Sequence, residues 1–212
     1  MKKTIAAVIT VLTFLNANAQ IEKGTNTFGA NLGASYIVNF NSIQSNTSMG
    51  LKVQPVFEHF IDKNLSLGFA LNYGVNLFNN DYSIAIVSYN TTYNTQIMGA
   101  QIQLKKYWFV TDKTVFTLTP IFSSNYNETN VASSYTDGSK STSNFNNWVH
   151  SANCNIGAAY FIKKNLAIEA QTTPFSYSFT TEKSNNGNTN NINLSIVPNN
   201  LLLGFKYFFA KK

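Results

Sequence analysis

The chain has 212 residues, of which 11% are charged and 14% are aromatic. All 15 basic residues are lysines, and no run of lysine exceeds two residues, so the sequence lacks the clustered basic face that nucleic-acid binding requires. A soluble domain usually carries about 25% charged residues, so this composition disfavours an ordinary soluble domain. Cys154 is the single cysteine, which excludes an intramolecular disulfide bond and favours a small apolar side chain over a catalytic thiol.

The N-terminus has the three parts of an export signal. Two lysines precede an apolar run over residues 5–15, which is too short to cross a bilayer as a helix, and the "ANA" before Gln20 fits the small-x-small cleavage rule. We therefore predict a signal peptide over residues 1–19 and a single domain over residues 20–212. Loss of the two N-terminal lysines lowers the formal net charge from +6 to +4.

From residue 28 onward, apolar residues alternate with polar or small ones. Eight segments show this period of two, and several of them last ten residues or more. A strand tilted across a bilayer needs about 9–11 residues, whereas strands in globular proteins average about 5–6. In the seventh segment Pro174 interrupts the pattern, and the apolar phase shifts to Phe175. The segments are 28–38, 49–57, 65–77, 98–105, 116–123, 152–160, 166–171 and 201–209.

The connections between these segments alternate in length. Three short turns, near 61–64, 110–113 and 162–165, alternate with long segments rich in Asn, Ser, Thr and Gly, which are typical of loops. An even strand count with this alternation predicts an eight-stranded antiparallel up-and-down transmembrane β-barrel with short periplasmic turns and four longer extracellular loops. Both mature termini are then periplasmic. The long segments are 39–48, 79–95, 127–147 and 181–197.

One short turn occurs in three related copies. The sequences "FIDKNL" (60–65) and "FIKKNL" (161–166) nearly match, and a looser copy, "FVTDKTVF", lies at 109–116. The copies are 49 and 52 residues apart, the length of one up-down hairpin. We interpret the repeat as the periplasmic turn, with its aromatic residue anchored at the membrane interface and a polar tip, rather than as a duplicated functional site.

The alternation also predicts which charged side chains point into the barrel. Eight strands leave an interior just wide enough for side chains, and a buried charge is costly unless it is paired. We therefore predict an interior polar network that closes the barrel, with Glu169 and Lys206 paired across neighbouring strands. A catalytic acid–base pair is the less favoured alternative, because the carboxylates lie on different strands among lysines. The predicted network consists of Lys52, Glu58, Lys105, Glu169 and Lys206.

Aromatic residues cluster at the predicted strand ends. Such clusters are typical of the girdles that transmembrane barrels place at both membrane interfaces, whereas the core of a soluble β-sandwich would not confine them there. The periplasmic girdle is predicted to contain Trp108, Tyr160, Tyr207 and Phe209, and the outer one Tyr36, Tyr73, Tyr126 and Trp148.

Catalytic motifs are weak throughout the sequence. Lipid A-modifying barrels of the deacylase kind carry a His-x-Ser pair on one strand face, but in "WVHSAN" Ser151 directly follows His150 and must point the other way. No metal-ligand spacing, glycine-rich phosphate loop or nucleophile elbow is present in the sequence. We therefore predict no enzymatic activity, no cofactor and no metal, with a lipid A-modifying enzyme as a remote alternative.

Two stretches resemble known outer-membrane sequences. Gly204, Tyr207 and Phe209 resemble the C-terminal signal that the barrel assembly machinery recognises, although three residues follow Phe209. "VQPVFEHFIDKNLSLGFALNYG" (53–74) is similar to a segment of the small outer-membrane barrels of the Bacteroidota, the OmpA-like and PorT-like barrel family. This resemblance implies a bacterial outer-membrane location. Unlike full OmpA-type proteins, the mature chain is expected to lack a peptidoglycan-binding domain.

The sequence favours a non-enzymatic outer-membrane barrel with a structural role, or an accessory subunit of a larger outer-membrane complex. Its expected contacts are lipid or lipopolysaccharide and, during insertion, the barrel assembly machinery. The apolar character of "DYSIAIVSYNTTY" (81–93) fits a simple extension of strands three and four better than a docking surface. The alternative function is adhesion or binding through the Asn/Ser/Thr-rich loops.

Overall fold

The computed structural model describes residues 21–40, 44–84, 87–184, 187–195 and 201–209. These residues form β-segments and turns, and none of them forms a helix that is long and apolar enough to cross a membrane. The segments are β1 (Asn26–Phe40), β2 (Gln44–Asp62), β3 (Leu65–Ile84), β4 (Val87–Phe109), β5 (Thr114–Tyr135), β6 (Lys140–Lys163), β7 (Leu166–Ser184), β8 (Gly187–Ser195) and β9 (Leu201–Phe209).

The nine segments form one closed ring of eight antiparallel strands. Each of β1 to β6 pairs with the next segment in the chain. β7 pairs with both β8 and β9. β8 and β9 are therefore two successive parts of the eighth strand. β9 also pairs with β1, from Asn26 opposite Phe209 to Ala34 opposite Leu201, and this pairing closes the ring. The predicted eight-stranded antiparallel barrel is confirmed.

Side chains alternate between the two faces of the barrel wall as the sequence pattern predicts. On β2, for example, Phe57 is 49% exposed on the outer face, whereas Glu58 beside it is completely buried on the inner face. The outer face carries exposed leucine, isoleucine, phenylalanine and tyrosine side chains on every strand of the ring, while the buried residues inside are largely Asn, Gln, Ser and Thr. This arrangement is the reverse of a soluble domain, in which apolar side chains lie inside.

The phase shift in the seventh strand is a β-bulge. Cys154 pairs with Phe175 and Ile156 pairs with Thr172, so that two residues of β7 lie opposite Asn155 of β6. One of the two is Pro174, whose nitrogen has no hydrogen to give to the ladder, so a bulge is the position in a sheet that tolerates it. The predicted change of phase at Phe175 is confirmed.

Among the described residues, segment 127–147 is largely sheet, so the prediction of an irregular loop there is wrong, whereas segment 79–95 extends strands three and four as expected. Residues 79–84 and 87–95 continue β3 and β4 in register, and β5 and β6 pair up to Ser134 opposite Lys140. Cross-strand hydrogen bonds satisfy the backbone of these segments regardless of their polar side chains, so they extend the wall as sheet. In the connection between β5 and β6, the Ser139 hydroxyl and backbone N–H hydrogen-bond the Asp137 carboxylate and hold its pKa below the ordinary value.

The barrel therefore has two different ends. We call the end with the three short connections, 63–64, 110–113 and 164–165, the turn end, and the opposite end the hairpin end. β3 to β6 have 20 to 24 residues each, about twice what a tilted strand needs to cross a bilayer.

Candidate functional site: the barrel interior

An apolar layer closes the interior at the turn end. Phe60, Tyr107, Phe161 and Phe208 project inward and are nearly or completely buried. The ring centroids of Phe60 and Tyr107 lie 5.3 Å apart, those of Phe60 and Phe208 6.2 Å, and those of Phe161 and Phe208 5.0 Å. These distances are typical of packed aromatic pairs, and we call this layer the floor.

The sequence repeat builds the floor. The fifth residue of each copy, Asn64, Lys113 and Asn165, offers its backbone carbonyl to the neighbouring strand. These oxygens accept hydrogen bonds from the backbone N–H groups of Tyr107, Phe161 and Phe208, at 2.8, 2.7 and 2.8 Å. Each copy therefore ties its own turn to a floor aromatic on the next hairpin.

The interpretation of the repeat's aromatic residue as an interface anchor is wrong. Phe60, Phe109 and Phe161, which begin the three copies, are 0%, 7% and 8% exposed and belong to one buried apolar cluster. They stand on the inner face of the wall because Phe60 and Phe109 share the phase of the buried Glu58 and Lys105, and Phe161 shares that of the buried Asn155. The predicted location of the repeat in the turns themselves is confirmed.

Directly above the floor, Glu58 is surrounded by hydrogen-bond donors. Its Oε1 accepts from Lys206 Nζ at 2.7 Å and from Gln103 Nε2 at 2.6 Å. Its Oε2 accepts from the Tyr107 hydroxyl at 2.8 Å and from Thr27 Oγ1 at 3.3 Å. A buried carboxylate with all four donors in place has its lone pairs satisfied, which is the condition for burying it at tolerable cost.

The second carboxylate, Glu169, contacts both lysines of this layer, Lys105 and Lys206. Lys105 Nζ forms an ion pair with Glu169 Oε1, and Lys206 Nζ lies 3.2 Å from Glu169 Oε2. Both lysine ammonium groups also lie near the ring of Tyr107, 5.5 and 5.9 Å from its centroid. The structure thus brings together four of the five predicted residues, including the predicted pair of Glu169 with Lys206.

Sequence reasoning missed the uncharged members of this network, Tyr107, Gln103 and Thr27. Tyr107 and Gln103 both hydrogen-bond Glu58, and the signal that would have found them is their odd position on β4, in phase with Lys105. Further from the floor, side-chain amides continue the interior contacts, with Gln54 Nε2 donating to Asn72 Oδ1 at 2.6 Å and to Gln101 Oε1 at 3.1 Å.

The structure does not bring Lys52 into the network. Lys52 points inward further toward the hairpin end and, among the described residues, forms neither an ion pair nor a hydrogen bond. It lines a cavity of about 360 Å³ that begins above the layer of Gln54 and Gln101. The cavity exists partly because three inward positions, Gly33, Gly50 and Gly74, carry no side chain.

The predicted girdle residues all stand on the outer face. Near the turn end, Trp108, Tyr160 and Phe209 are 46%, 45% and 48% exposed. Toward the hairpin end, Tyr73, Met98, Tyr126 and Trp148 lie opposite one another across four strands, and the rings of Tyr126 and Trp148 are 5.4 Å apart. Tyr36, at 71%, is the most exposed of the large hydrophobic residues on the described wall.

The predicted assembly-signal residues lie in the strand that closes the barrel. Tyr207 and Phe209 face outward and contact each other edge to face at 5.0 Å, and Asn165 Nδ2 donates a 2.7 Å hydrogen bond to the Tyr207 hydroxyl. Gly204 faces inward, and a Cβ placed there would lie 2.2 Å from Asn31 Oδ1. The structure thus gives these three residues packing roles at the seam.

The histidine and serine of "WVHSAN" are separated by the barrel wall. The ring of His150 stacks on Trp148 at 6.4 Å on the outer face, whereas the Ser151 hydroxyl is buried inside, 2.7 Å from that of Ser123. They cannot act on one substrate. Within the described ranges, no group of three or more His, Cys, Asp or Glu side chains is placed to hold a metal ion.

At the hairpin end, aromatic residues line the inner face of the extended wall. Tyr82 stacks on Tyr89 with ring centroids 5.0 Å apart, Tyr89 contacts Tyr135 at 6.3 Å, and Phe78 contacts Tyr93 at 5.5 Å. The apolar character of segment 81–93 is therefore used in cross-strand contacts, and its predicted role as an extension of strands three and four is confirmed.

Comparison with protein-family models and with curated proteins finds no match to this sequence. Among solved structures, the chain is similar to the Neisserial surface protein A (12% identity, 88% of this chain and 98% of that chain, TM-score 0.38). It is also similar to the Ail attachment invasion locus protein of Yersinia pestis (10% identity, covering 88% of this chain and 99% of that chain, TM-score 0.34). A third similar structure is a major outer membrane protein of Thermus thermophilus (15% identity, covering 87% of this chain and 99% of that chain, TM-score 0.37). At these TM-scores the likenesses add no argument about function.

Proposed function

We propose that the protein is a non-enzymatic β-barrel of the bacterial outer membrane, with a closed interior and a structural or accessory-subunit role. The apolar outer face supports a membrane location, because water would not tolerate a continuous belt of exposed leucine, isoleucine and phenylalanine side chains on every strand. A closed ring leaves no unpaired strand edge in the hydrocarbon region, which is the condition for crossing a bilayer with strands.

The observation that carries the closed interior is the double barrier at the turn end. The floor aromatics pack against one another, and the network of Glu58, Lys105, Glu169 and Lys206 lies directly above them with its side chains at most 3% exposed. Ions would have to break several charge-assisted hydrogen bonds and then cross a packed apolar layer. An eight-stranded barrel with a side-chain-filled interior is expected to conduct poorly for the same reason.

The proposed orientation places the turn end in the periplasm and the hairpin end outside the cell. Short periplasmic turns and long outer hairpins are the usual asymmetry of such barrels, and the mature termini would then both be periplasmic. Lipid and lipopolysaccharide would contact the outer face between the two girdles. Gly204, Tyr207 and Phe209 lie in the closing strand β9, a suitable place for a signal to the barrel assembly machinery.

Single-channel recording in planar lipid bilayers tests the closed interior. We expect no large steady conductance from the refolded protein, while a porin inserted in the same bilayer serves as the positive control. A large steady conductance would overturn the proposal.

The accessory-subunit role needs a separate experiment. If the protein works beside a larger outer-membrane machine, purification from native membranes in a gentle detergent should return the same partner repeatedly, and the partner should persist after a salt wash. Recovery of the protein alone in every preparation would leave only the structural role.

The extended hairpins favour a second candidate, adhesion or binding at the cell surface. β5 and β6 continue nine and eight residues past Tyr126 and Trp148, with exposed Asn, Ser and Thr side chains available for polar contacts. Replacing residues 129–145 by a short turn keeps the paired register below it, so the barrel should still fold. Unchanged surface attachment of cells carrying this variant would contradict the adhesion role.

A further inference from the structure

We propose that the interior cavity beneath the hairpin end is a binding site for a small oxyanion, such as a carboxylate or a phosphate, held by Lys52. This inference goes beyond the proposed function, which requires only that the turn end be closed. It rests on the unbalanced charge of the described interior residues, on the polar groups that line the cavity and on the volume of the cavity.

The charges inside the barrel do not balance. Among the described interior residues, the three lysines Lys52, Lys105 and Lys206 face two carboxylates, those of Glu58 and Glu169. Both carboxylates are ion-paired near the floor with Lys105 or Lys206. Lys52 therefore carries the uncompensated positive charge, and a charge inside a barrel is stabilised when a partner of opposite sign approaches it.

Among the described residues, no carboxylate lines the cavity around Lys52. The described residues that line the cavity include no aspartate and no glutamate, so Lys52 is the only charged group among them. Its cross-strand neighbours, Gly33 on β1 and Gly74 on β3, cannot shield it because they have no side chains. Within the part of the chain that the structure describes, the Lys52 ammonium group therefore lines the cavity without an ion-pair partner.

The rest of the cavity wall offers hydrogen-bonding groups suited to a polar ligand. Side-chain amides and hydroxyls of Ser35, Asn76, Asn125 and Ser178 line it, and they can donate to oxyanion oxygens. Asn127 also lines the cavity, and its Oδ1 is buried without a hydrogen-bond partner, so it can accept from a ligand hydroxyl or from a bound water. An anion that also carries hydroxyl groups would satisfy both kinds of group.

The size of the cavity sets the size of the ligand. A volume of about 360 Å³ is near the lower end of the range of small-molecule sites, which is roughly 300–1,000 Å³. A phosphate ion or a six-carbon sugar acid fits this space, whereas a folded peptide or a lipid chain does not. Because the network and the floor block the turn end, the ligand would enter from the hairpin end.

Titration calorimetry on the refolded protein in non-ionic micelles tests this inference. The probes are inorganic phosphate and gluconate, with glucose as the uncharged control and sodium chloride to match ionic strength. We expect phosphate or gluconate to bind and glucose not to bind, and preference between the two anions distinguishes a phosphate from a carboxylate site. Absence of binding by both anions above the chloride background would overturn the inference.

Three variants locate the site. Lys52→Met keeps most of the length of the side chain, removes the charge and should weaken anion binding about tenfold or more, the usual effect of losing a charge-assisted hydrogen bond. Lys140→Met removes an exposed lysine at the start of β6 and should leave binding unchanged. Asn127→Asp keeps Lys52 but adds a carboxylate to the same cavity, and it should also abolish binding. Anion binding at the parental affinity in Lys52→Met or in Asn127→Asp would contradict the assignment.

Discussion

At the residue scale, the interior depends on how completely Glu58 is satisfied. A buried ion pair adds little net stability over an apolar pair, because both charges lose their hydration, but breaking one by removing a partner leaves a buried charge uncompensated. Glu58 accepts hydrogen bonds from Lys206, Gln103, Tyr107 and Thr27, which lie on β9, β4 and β1. One carboxylate thus links three strands of the barrel to β2.

The variant Glu58→Gln tests this linking role. Its amide nitrogen would face donors where an oxygen now accepts, so we expect the free energy of unfolding to fall by about 3 kcal/mol. Urea unfolding in lipid vesicles, followed by tryptophan fluorescence, measures the change. Glu128→Gln, an exposed position on β5, is the matched control and should stay within about 0.5 kcal/mol of the parent. Equal stabilities of the two variants would show that the network contributes nothing specific.

At the scale of the elements, the turn repeat shows what a sequence pattern can and cannot resolve. The position of the repeat in the turns follows from its polar tip and spacing. The inward direction of Phe60 could also have been predicted, because Phe60 has the same even phase on β2 as Glu58. The general preference of aromatic residues for membrane interfaces suggested the wrong face. The hydrogen bond from the Tyr107 backbone N–H to the Asn64 carbonyl could not be predicted from the sequence, because it depends on how the neighbouring hairpins are staggered.

The same reasoning limits what could be predicted of the ion network. Inward direction follows from the period of two, and the contact of Glu169 with Lys206 follows from strand adjacency. The pairing of Glu58 with Lys206 joins β2 to β9 across β1, so it requires the tilt and stagger of the whole ring, which no local pattern encodes.

A pair of neighbouring residues distinguishes the floor from the outer surface of the barrel. Phe60 is completely buried in the floor, whereas Ile61 beside it is 38% exposed on the outer face. We expect Phe60→Ala to destabilise the barrel by about 3–5 kcal/mol, because it leaves an internal cavity, and Ile61→Ala to cost about 1 kcal/mol or less, because lipid fills the space. Thermal unfolding of both variants in the same lipid measures the difference. Similar losses would mean that the floor is not a packed core.

At the scale of the whole molecule, strand number and order were predictable, and so was the extension of strands three and four, but the height of strands five and six was not. Segment 127–147 has the composition of a loop, yet most of it forms sheet because strands that already pair within the barrel continue to pair beyond it. The polarity of a segment reflects its surroundings, and in the proposed orientation both faces of an extension above the membrane would meet water. Polarity without a hydrophobic period therefore signals exposure here rather than irregular structure.

Closure of the ring rests on small residues facing large ones across the seam between β1 and β9. Gly29 lies opposite Lys206, Gly33 opposite Leu202, and Gly204 opposite Asn31. A Cβ at Gly29 would lie 2.2 Å from the backbone oxygen of Phe205, an atom that cannot move without separating the two strands. The long side chain of Lys206 can therefore reach the ion network only because its neighbour across the seam is a glycine.

We expect the variant Gly29→Val to fail at this final step of closure, because the added side chain collides with the backbone of β9 while β1 to β7 keep their own pairings. The refolded fraction, read from the faster migration of unheated folded barrels on a denaturing gel, should fall severalfold. Ala30→Val, the next residue on the same strand, points outward at the same seam and should refold like the parent, since its side chain meets lipid instead of backbone. Far-ultraviolet circular dichroism of the failed fraction should retain β-signal if the open sheet still forms. Normal refolding of Gly29→Val would show that β9 can shift away from β1 at no cost, and that the seam does not require a glycine opposite Lys206.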